Sequence, residues 1–131
     1  MELNLLSRFI FDKNQYSTER NEAKYNAFLP QPQYPNELSV YEVSDLLDKK
    51  VWDLALHVRV DKTVKARADF LTVHFQDKSN LLLNRLTLEN DQDPHPRHCN
   101  IKNFPTDKSE QILTAMELAS ISTLKLNTLE E

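Results

Sequence analysis

Residues 66–89 read ARADFLTVHFQDKSNLLLNRLTLE, and this stretch decides the predicted fold class. Apolar and polar side chains alternate through residues 66–76, which is the two-residue period of a strand with one buried face. Residues 77–80 (DKSN) favour a turn although they include no glycine, and residues 81–89 read as a partner strand. The stretch therefore predicts an antiparallel hairpin with a connection of about four residues.

The rest of the chain predicts further strands and two amphipathic helices. The predicted strands are residues 7–11, 38–43 and 99–101, and the predicted helices are residues 45–57 and 107–122. We therefore expect one α+β domain over residues 1–131, with a mainly antiparallel sheet and two principal helices packed on one face. A three-layer α/β arrangement is the alternative, but two helices are too few to cover both faces of a sheet.

The same periodicities predict the core. Large apolar side chains on the inner faces of these elements are expected to be buried, namely Trp52, Leu54 or Leu56, Phe70, Val73, Phe75, Leu83, Ile112 and Met116. Residues 12–26 are polar and are expected to form a surface loop. Residues 124–131 are expected to fray.

The composition excludes several function classes. The 131 residues include no glycine, so the chain has no P-loop, no dinucleotide-binding G-x-G-x-x-G and no G-x-S-x-G nucleophile elbow. Left-handed backbone positions are therefore expected at Asn or Asp. The net charge of −4 argues against a general nucleic-acid binder, and no apolar run is long enough to predict a membrane span.

Cysteine usage points to a reducing compartment. Cys99 is the only cysteine, so no internal disulfide can form. The first residues, MELNLLSRFIF, lack the basic region and the small-residue cleavage site of a signal peptide. We therefore expect a cytoplasmic protein.

Three stretches together resemble a family of small bacterial proteins that carries no established activity. They are LSVYEVSDLLDKKVWDLA at residues 38–55, ARADF at residues 66–70 and PHPRHCNIKNFPTDKSEQ at residues 94–111. The resemblance covers about residues 8–120. In that family small residues and a tryptophan flank the last motif, where this chain has Cys99 and Phe104. The resemblance implies one intact domain and a bacterial source, and it assigns no catalytic residue.

Residues 93–100 (DPHPRHCN) form the densest chemical cluster in the sequence. Asp93, His95, His98 and Cys99 include metal-ligand types, but the set is short of a complete zinc site unless distant histidines converge on it. We therefore expect no metal and no cofactor. Cys99 beside His98 also raises the possibility of a nucleophilic thiol, although neighbours in sequence need not form a catalytic pair in space.

Acid–base chemistry or anion binding is the other functional interpretation of this loop. His95 or His98 would carry a proton, and Arg97 or Arg67 would neutralise an anionic group. The candidate ligand-binding residues are therefore Arg67, Asp93, His95, Arg97 and His98. The structural alternative is a proline-stiffened loop in which Arg97 pairs with an acid and Cys99 is buried, with Arg67 and Asp69 as an ion pair of one strand.

Two classes of function remain open. The leading hypothesis is a non-catalytic protein-interaction or oligomerisation module, because no catalytic or cofactor motif is present. The alternative is a small enzyme or an anion-binding domain that uses the loop of Asp93, His95, Arg97 and His98 together with Arg67. The sequence does not decide whether the protein is an enzyme, although the lack of a catalytic motif argues against it. A protein partner or self-association is expected and a membrane is not, and nucleic-acid binding is restricted to a basic patch at residues 59–67.

Overall fold

The structure is a computed structural model that describes residues 4–34, 36–82, 85–91 and 95–127. It contains three α-helices, namely α1 (Asp48–Val58), α2 (Thr72–Leu81) and α3 (Lys108–Ser120). Its strands are β1 (Leu5–Ile10), β2 (Tyr16–Ser17), β3 (Glu22–Ala23), β4 (Glu37–Glu42), β5 (Ala66–Leu71), β6 (Thr87–Asn90), β7 (His98–Lys102) and β8 (Thr123–Leu126). Two short 3-10 helices cover Lys13–Gln15 and Tyr25–Phe28.

Six strands form one antiparallel sheet in the order β6-β7-β4-β1-β5-β8, and β2 pairs with β3 in a separate ribbon. The predicted α+β class with an antiparallel sheet is confirmed. Within the described ranges, no helix is long and apolar enough to cross a bilayer.

Helices cover both faces of the sheet. Leu6 and Ile10 of β1 belong to a core cluster that also includes Phe75 of α2 and Leu118 of α3. Phe9, between them in the chain, belongs to a second cluster that includes residues of α1. Because side chains alternate along a strand, the two clusters lie on opposite faces. The expectation that the two predicted helices share one face is therefore not confirmed, since α1 and α3 belong to different clusters.

The predicted hairpin over residues 66–89 is wrong. The chain leaves β5 at Leu71 and begins α2 at Thr72, while β5 lies between β1 and β8 and β6 pairs with β7. The buried residues of α2 are Thr72, Phe75 and Ser79, which follow helical spacing. Apolar residues at positions 71, 73 and 75 also alternate with polar ones, shifted by one residue from Ala66, Ala68 and Phe70 of β5, and this local pattern conceals the change of period.

Ser79 holds the end of α2 to the chain that follows. Its Oγ accepts a hydrogen bond from the Leu86 backbone N–H at 2.7 Å and donates to the Leu86 carbonyl at 3.0 Å. The side chain thereby satisfies two backbone groups of a buried residue outside regular structure.

Most of the strand and helix predictions elsewhere are close to the structure. Residues 124–126 are an exception, because they belong to β8 and pair with β5 instead of fraying. The surface loop predicted at residues 12–26 also contains the ribbon of β2 and β3. Positive φ angles occur at Asn21 (55°) and Asn103 (74°), as expected for a chain that has no glycine for such positions.

The predicted core is partly correct. Trp52, Leu54, Phe70 and Phe75 are buried, whereas Leu56 is 55% and Met116 50% exposed. Val73 and Ile112 are half-buried, and Leu83 lies outside the described residues. On α3 the buried residues are Thr114, Ala115 and Leu118, so the inner face is rotated from the predicted one.

Candidate functional site

Arg97 is held by acidic partners at the turn before β7. Its Nη1 donates to Asp45 Oδ1 at 2.7 Å and its Nη2 to Asp45 Oδ2 at 3.2 Å. Nη1 also donates to the Glu42 carbonyl at 3.1 Å. The hydrogen bond to Asp45 raises the pKa of Arg97, and the same bond lowers the pKa of Asp45. The Arg97 guanidinium group could bind an external anion through two parallel hydrogen bonds, but a carboxylate of the chain itself already occupies these donors.

His98 is buried and both of its ring nitrogens have partners. Nδ1 lies 2.9 Å from the backbone carbonyl of Asp91, and Nε2 lies 2.9 Å from Ser39 Oγ. A carbonyl can only accept, so Nδ1 carries a proton, and in the singly protonated ring Nε2 accepts from the Ser39 hydroxyl. The ring also packs 5.3 Å from that of Tyr41. In this arrangement His98 joins β7 to β4.

His95 shapes the turn that leads into β7. Its Nδ1 accepts from the Arg97 backbone N–H at 3.1 Å, and its carbonyl accepts from the His98 N–H at 2.9 Å. Asp93, the remaining loop residue of the predicted site, lies outside the described residues. Where the loop is described, its side chains therefore make the internal contacts expected of a structural turn.

Arg67 lies apart from that turn. It is on β5, and β1 and β4 separate β5 from β7. Three strand spacings correspond to about 14 Å. Arg67 Nε donates to Asp69 Oδ2 at 3.1 Å and Nη2 to Asp48 Oδ1 at 2.7 Å. The predicted ion pair with Asp69 is thus present, and the structure does not join Arg67 to residues 95–98 in one pocket.

Two further side chains complete the environment of this ion pair. The Arg67 guanidinium lies 4.7 Å from the centre of the Trp52 ring, and the Ser7 hydroxyl donates to Asp69. Arg67 and Asp69 are buried, and the Ser7 side chain is fully buried. A substrate therefore cannot reach the charged groups of Arg67 and Asp69.

Cys99 does not have the environment of a nucleophile. It is buried on β7, and burial raises the pKa of its thiol. Across the described parts of the chain, no three or more His, Cys, Asp or Glu side chains are grouped so that they could hold a metal ion.

A cleft opens where β1 and β4 separate. These strands pair only at Leu6–Glu42 and Ser7–Tyr41, and beyond this point the ladder ends. The gap has a volume of about 330 Å³. Its lining includes Arg8, Phe9, Phe11, Leu38, Tyr41 and Val58. Because Phe9 and Leu38 belong to the cores of opposite faces, the cleft lies in the plane of the sheet.

Arg8 lies within this gap and bridges its two sides. Its Nε donates to the Ala27 carbonyl at 2.9 Å and its Nη1 to the Ser39 carbonyl at 2.8 Å, so neither bond uses Nη2. Burial lowers the pKa of Arg8 to about 10, which leaves the group charged at neutral pH. Among the residues that the structure describes, Arg8 forms no ion pair with a carboxylate.

Arg8 was not among the site residues predicted from the sequence. The available signal was a charged residue inside the apolar stretch LNLLSRFIF of residues 3–11. A charge at that place in a strand demands a specific partner or a specific function. The sequence does not reveal that β4 leaves the ladder beside it.

No protein-family model matches the chain, and no curated protein or solved structure matches it.

Proposed function

We propose that the protein is a non-catalytic domain that binds a small anionic ligand in the cleft between β1 and β4. The observation that carries this proposal is the Arg8 guanidinium, which lines the cleft and is bound by two carbonyl oxygens and by no described carboxylate. The proposal keeps the anion-binding hypothesis but assigns the binding to Arg8 instead of Arg67 and Arg97. Arg67 and Arg97, its original cationic groups, are already paired with aspartates.

The energetics of burial support an anionic ligand. Carbonyl oxygens orient a guanidinium but do not neutralise its charge, and an unneutralised charge in a desolvated site is costly. An oxyanion at Nη2 would add a charge-assisted hydrogen bond and would compensate that charge. Ligand binding would therefore favour the folded state.

The environment of the histidine and the thiol supports a binding role without catalysis. Both ring nitrogens of His98 are hydrogen-bonded within the protein, and Cys99 is buried. Neither group lines the cleft. A general base or a nucleophile must reach the reacting atom of its substrate.

The test is calorimetric titration of the protein with acetate, benzoate and inorganic phosphate, each against wild type, Arg8→Gln and Arg59→Gln. We expect at least one anion to bind wild type and to bind Arg8→Gln about tenfold or more weakly, because hydrogen bonds between charged groups contribute about 1.5–3 kcal/mol. Glutamine keeps an amide NH2 group that can donate to the carbonyls of the gap.

Arg59→Gln is the matched control at the same cleft. Arg59 already pairs with Asp61 through two hydrogen bonds of 3.0 Å, so its loss should change anion affinity little. Arg8→Lys keeps the charge and serves if Arg8→Gln does not fold. Anion binding that is absent in wild type, or equal in wild type and Arg8→Gln, would contradict the proposal.

Self-association is a second candidate function, and exposed apolar side chains on α3 favour it. Leu113 is 59% and Met116 is 50% exposed, and their spacing of three residues places them on one face of the helix. A second copy of this chain would present the same two residues across a two-fold contact. This candidate retains the interaction role expected from the sequence.

Sedimentation equilibrium tests self-association directly. A dimer in wild type should dissociate in Leu113→Glu, whereas Leu56→Glu, at an exposed position of α1, should leave it intact. A wild-type protein that is monomeric at every concentration measured rejects this candidate and leaves the anion-binding proposal untouched.

A further inference from the structure

We propose that the two edge strands of the sheet, β6 and β8, pair with each other between copies of this chain. The partner of each edge is the opposite edge of a second copy, so the same contact repeats from one copy to the next. This surface is distinct from the exposed face of α3 and from the cleft between β1 and β4. The backbone groups of the edges, the strand directions and the facing side chains support it.

The edge strand β8 directs backbone donors and acceptors outward. β6 and β8 lie at the two ends of the strand order, and among the described residues no further strand pairs with either of them. The Asn127 N–H donates to the Lys65 carbonyl at 3.0 Å, and hydrogen-bonded pairs alternate along an antiparallel ladder. The N–H and carbonyl groups of Leu124 and Leu126 therefore point away from β5.

The edge strand β6 follows the same alternation. The Asp91 N–H donates to the His98 carbonyl at 3.0 Å, so the backbone groups of Leu88 and Asn90 point away from β7. Each edge thus offers two residues whose donors and acceptors can pair with an added strand.

The number of strands makes the two edges compatible in direction. Neighbouring strands of the six-stranded sheet are antiparallel, so β6 and β8 run in opposite directions. A second copy shifted sideways across the sheet, without being turned over, therefore presents its β6 antiparallel to β8 of the first copy. The two faces of the sheet then continue from one copy to the next.

The facing side chains of this pairing are complementary. The register that sets Leu88 opposite Leu126 pairs the outward backbone groups and places Glu89 opposite Lys125. Opposite charges directly across two strands stabilise their pairing. Leu126 is 41% exposed, so a neighbouring strand would also remove apolar surface from water.

Glu89 and Lys125 lie on the same face of the sheet, the one that α1 covers. Residues that are paired in register, or two apart in one strand, share a face. Such steps connect Glu89 to Lys125 through Asn100, Ser39, Tyr41, Ser7, Asp69 and Arg67. The opposite charges of two copies would therefore meet on one side of the continuous sheet.

Both charged side chains are accessible to a partner. The side chain of Glu89 is 56% and that of Lys125 is 45% exposed. Glu89 lies 3.6 Å from Lys102, and Lys125 lies 3.8 Å from Asp48 and 3.9 Å from Asp69. Ion pairs this long and this exposed contribute little, so they do not prevent a contact between the two edges.

Charge also disfavours the pairing of like edges. If two copies of β8 paired through the same outward groups, Lys125 would lie opposite Lys125, and two copies of β6 would likewise oppose Glu89. Like charges directly opposite are destabilising. Association is therefore expected between unlike edges, and such a head-to-tail contact extends beyond a dimer.

The test is sedimentation equilibrium of wild type, Glu89→Lys, Lys125→Glu and an equal mixture of the two variants. The edges are short and the contact is weak, so the concentration series should reach about 1 mM protein. We expect the mass of wild type to rise beyond that of a dimer, and each variant alone to associate about tenfold or more weakly. The mixture should restore association, because every contact between unlike variants again joins opposite charges.

Two control variants change the net charge away from the edges. Glu19→Lys and Lys49→Glu, both at exposed positions, should associate like wild type. Leu88→Pro removes an outward N–H without a change in charge and should also weaken association. It decides the matter if circular dichroism shows that a charge variant does not fold.

Other outcomes would overturn the proposal. Wild type that stays monomeric throughout the series would do so, as would equal association of wild type, Glu89→Lys and Leu88→Pro. Weakened single variants without recovery in the mixture would reject the contact between Glu89 and Lys125. A dimer that responds to Leu113→Glu but not to Glu89→Lys would assign self-association to α3 instead. None of these results bears on anion binding, because no residue of β6 or β8 lines the cleft.

Discussion

Three arginines of this chain occupy three different electrostatic environments. Arg67 contacts Asp69 and Asp48, Arg97 binds Asp45 through two hydrogen bonds, and Arg8 binds two carbonyl groups. The pair of Arg67 with Asp69, two residues away, could be predicted from the sequence. Asp45, the partner of Arg97, and Asp48, the second partner of Arg67, lie 52 and 19 residues away along the chain, so these contacts depend on the fold.

Core and surface residues should differ sharply in their effect on stability. Phe70 is buried between Phe28 and Phe75, whose ring centres lie 6.0 and 6.3 Å from its own. Phe70→Ala should therefore lower the free energy of unfolding by about 3–5 kcal/mol, because it removes apolar burial and leaves a cavity. Met116→Ala is the control, with an expected change within about 0.5 kcal/mol. Urea denaturation measures both, and a similar loss in the two variants would contradict the assignment of core and surface.

Single elements were predictable where one periodicity extends over the whole element. The strand predicted at 38–43 and the helix predicted at 107–122 differ from β4 and α3 by at most two residues at each end. The prediction failed at residue 72, where the strand period changes to a helical one without a proline or a glycine to mark it. Strand order also depends on pairing between distant segments, which local patterns do not encode.

Ser79 should be essential for the junction that follows α2. In Ser79→Ala the buried Leu86 N–H and carbonyl lose their partner, which should cost about 1–3 kcal/mol of unfolding free energy. Ser120→Ala provides the comparison, since that hydroxyl bonds the Glu117 carbonyl at an exposed helix end. Chemical denaturation should show a clearly larger loss of unfolding free energy in Ser79→Ala than in Ser120→Ala. An equal effect would show that the Ser79 contact adds nothing specific.

At the scale of the whole molecule, carboxylate–arginine pairs join segments that are distant in the chain. Asp48 links α1 to β5 through Arg67, and Asp45 links the segment before α1 to the turn before β7 through Arg97. The hydrogen bonds to these arginines lower the pKa of both aspartates. Both pairs therefore contribute to the arrangement of α1 against the sheet.

The sign of this shift predicts the response to acid. A carboxylate whose pKa is lower in the folded state contributes stability above its ordinary pKa of about 3.9, and this contribution is lost as the pH falls through the folded value. The unfolding temperature of wild type should thus exceed that of Asp45→Asn at pH 6, and the difference should shrink as the pH approaches 2. Asp53→Asn controls for the change in net charge. A difference that persists at low pH would exclude the Asp45–Arg97 pair as its cause.

The position of Cys99 makes it a natural reporter of local opening. As the chain's one thiol, it lies on β7 next to the edge strand β6, and it is buried in the native state. An alkylating reagent can reach it only in molecules whose sheet edge has transiently come apart. If β6 detaches alone, the labelling rate should be nearly independent of low urea concentrations, whereas opening of the entire domain would make it rise steeply. One labelling experiment on the unmodified protein would thereby rank the stability of this edge against that of the whole fold.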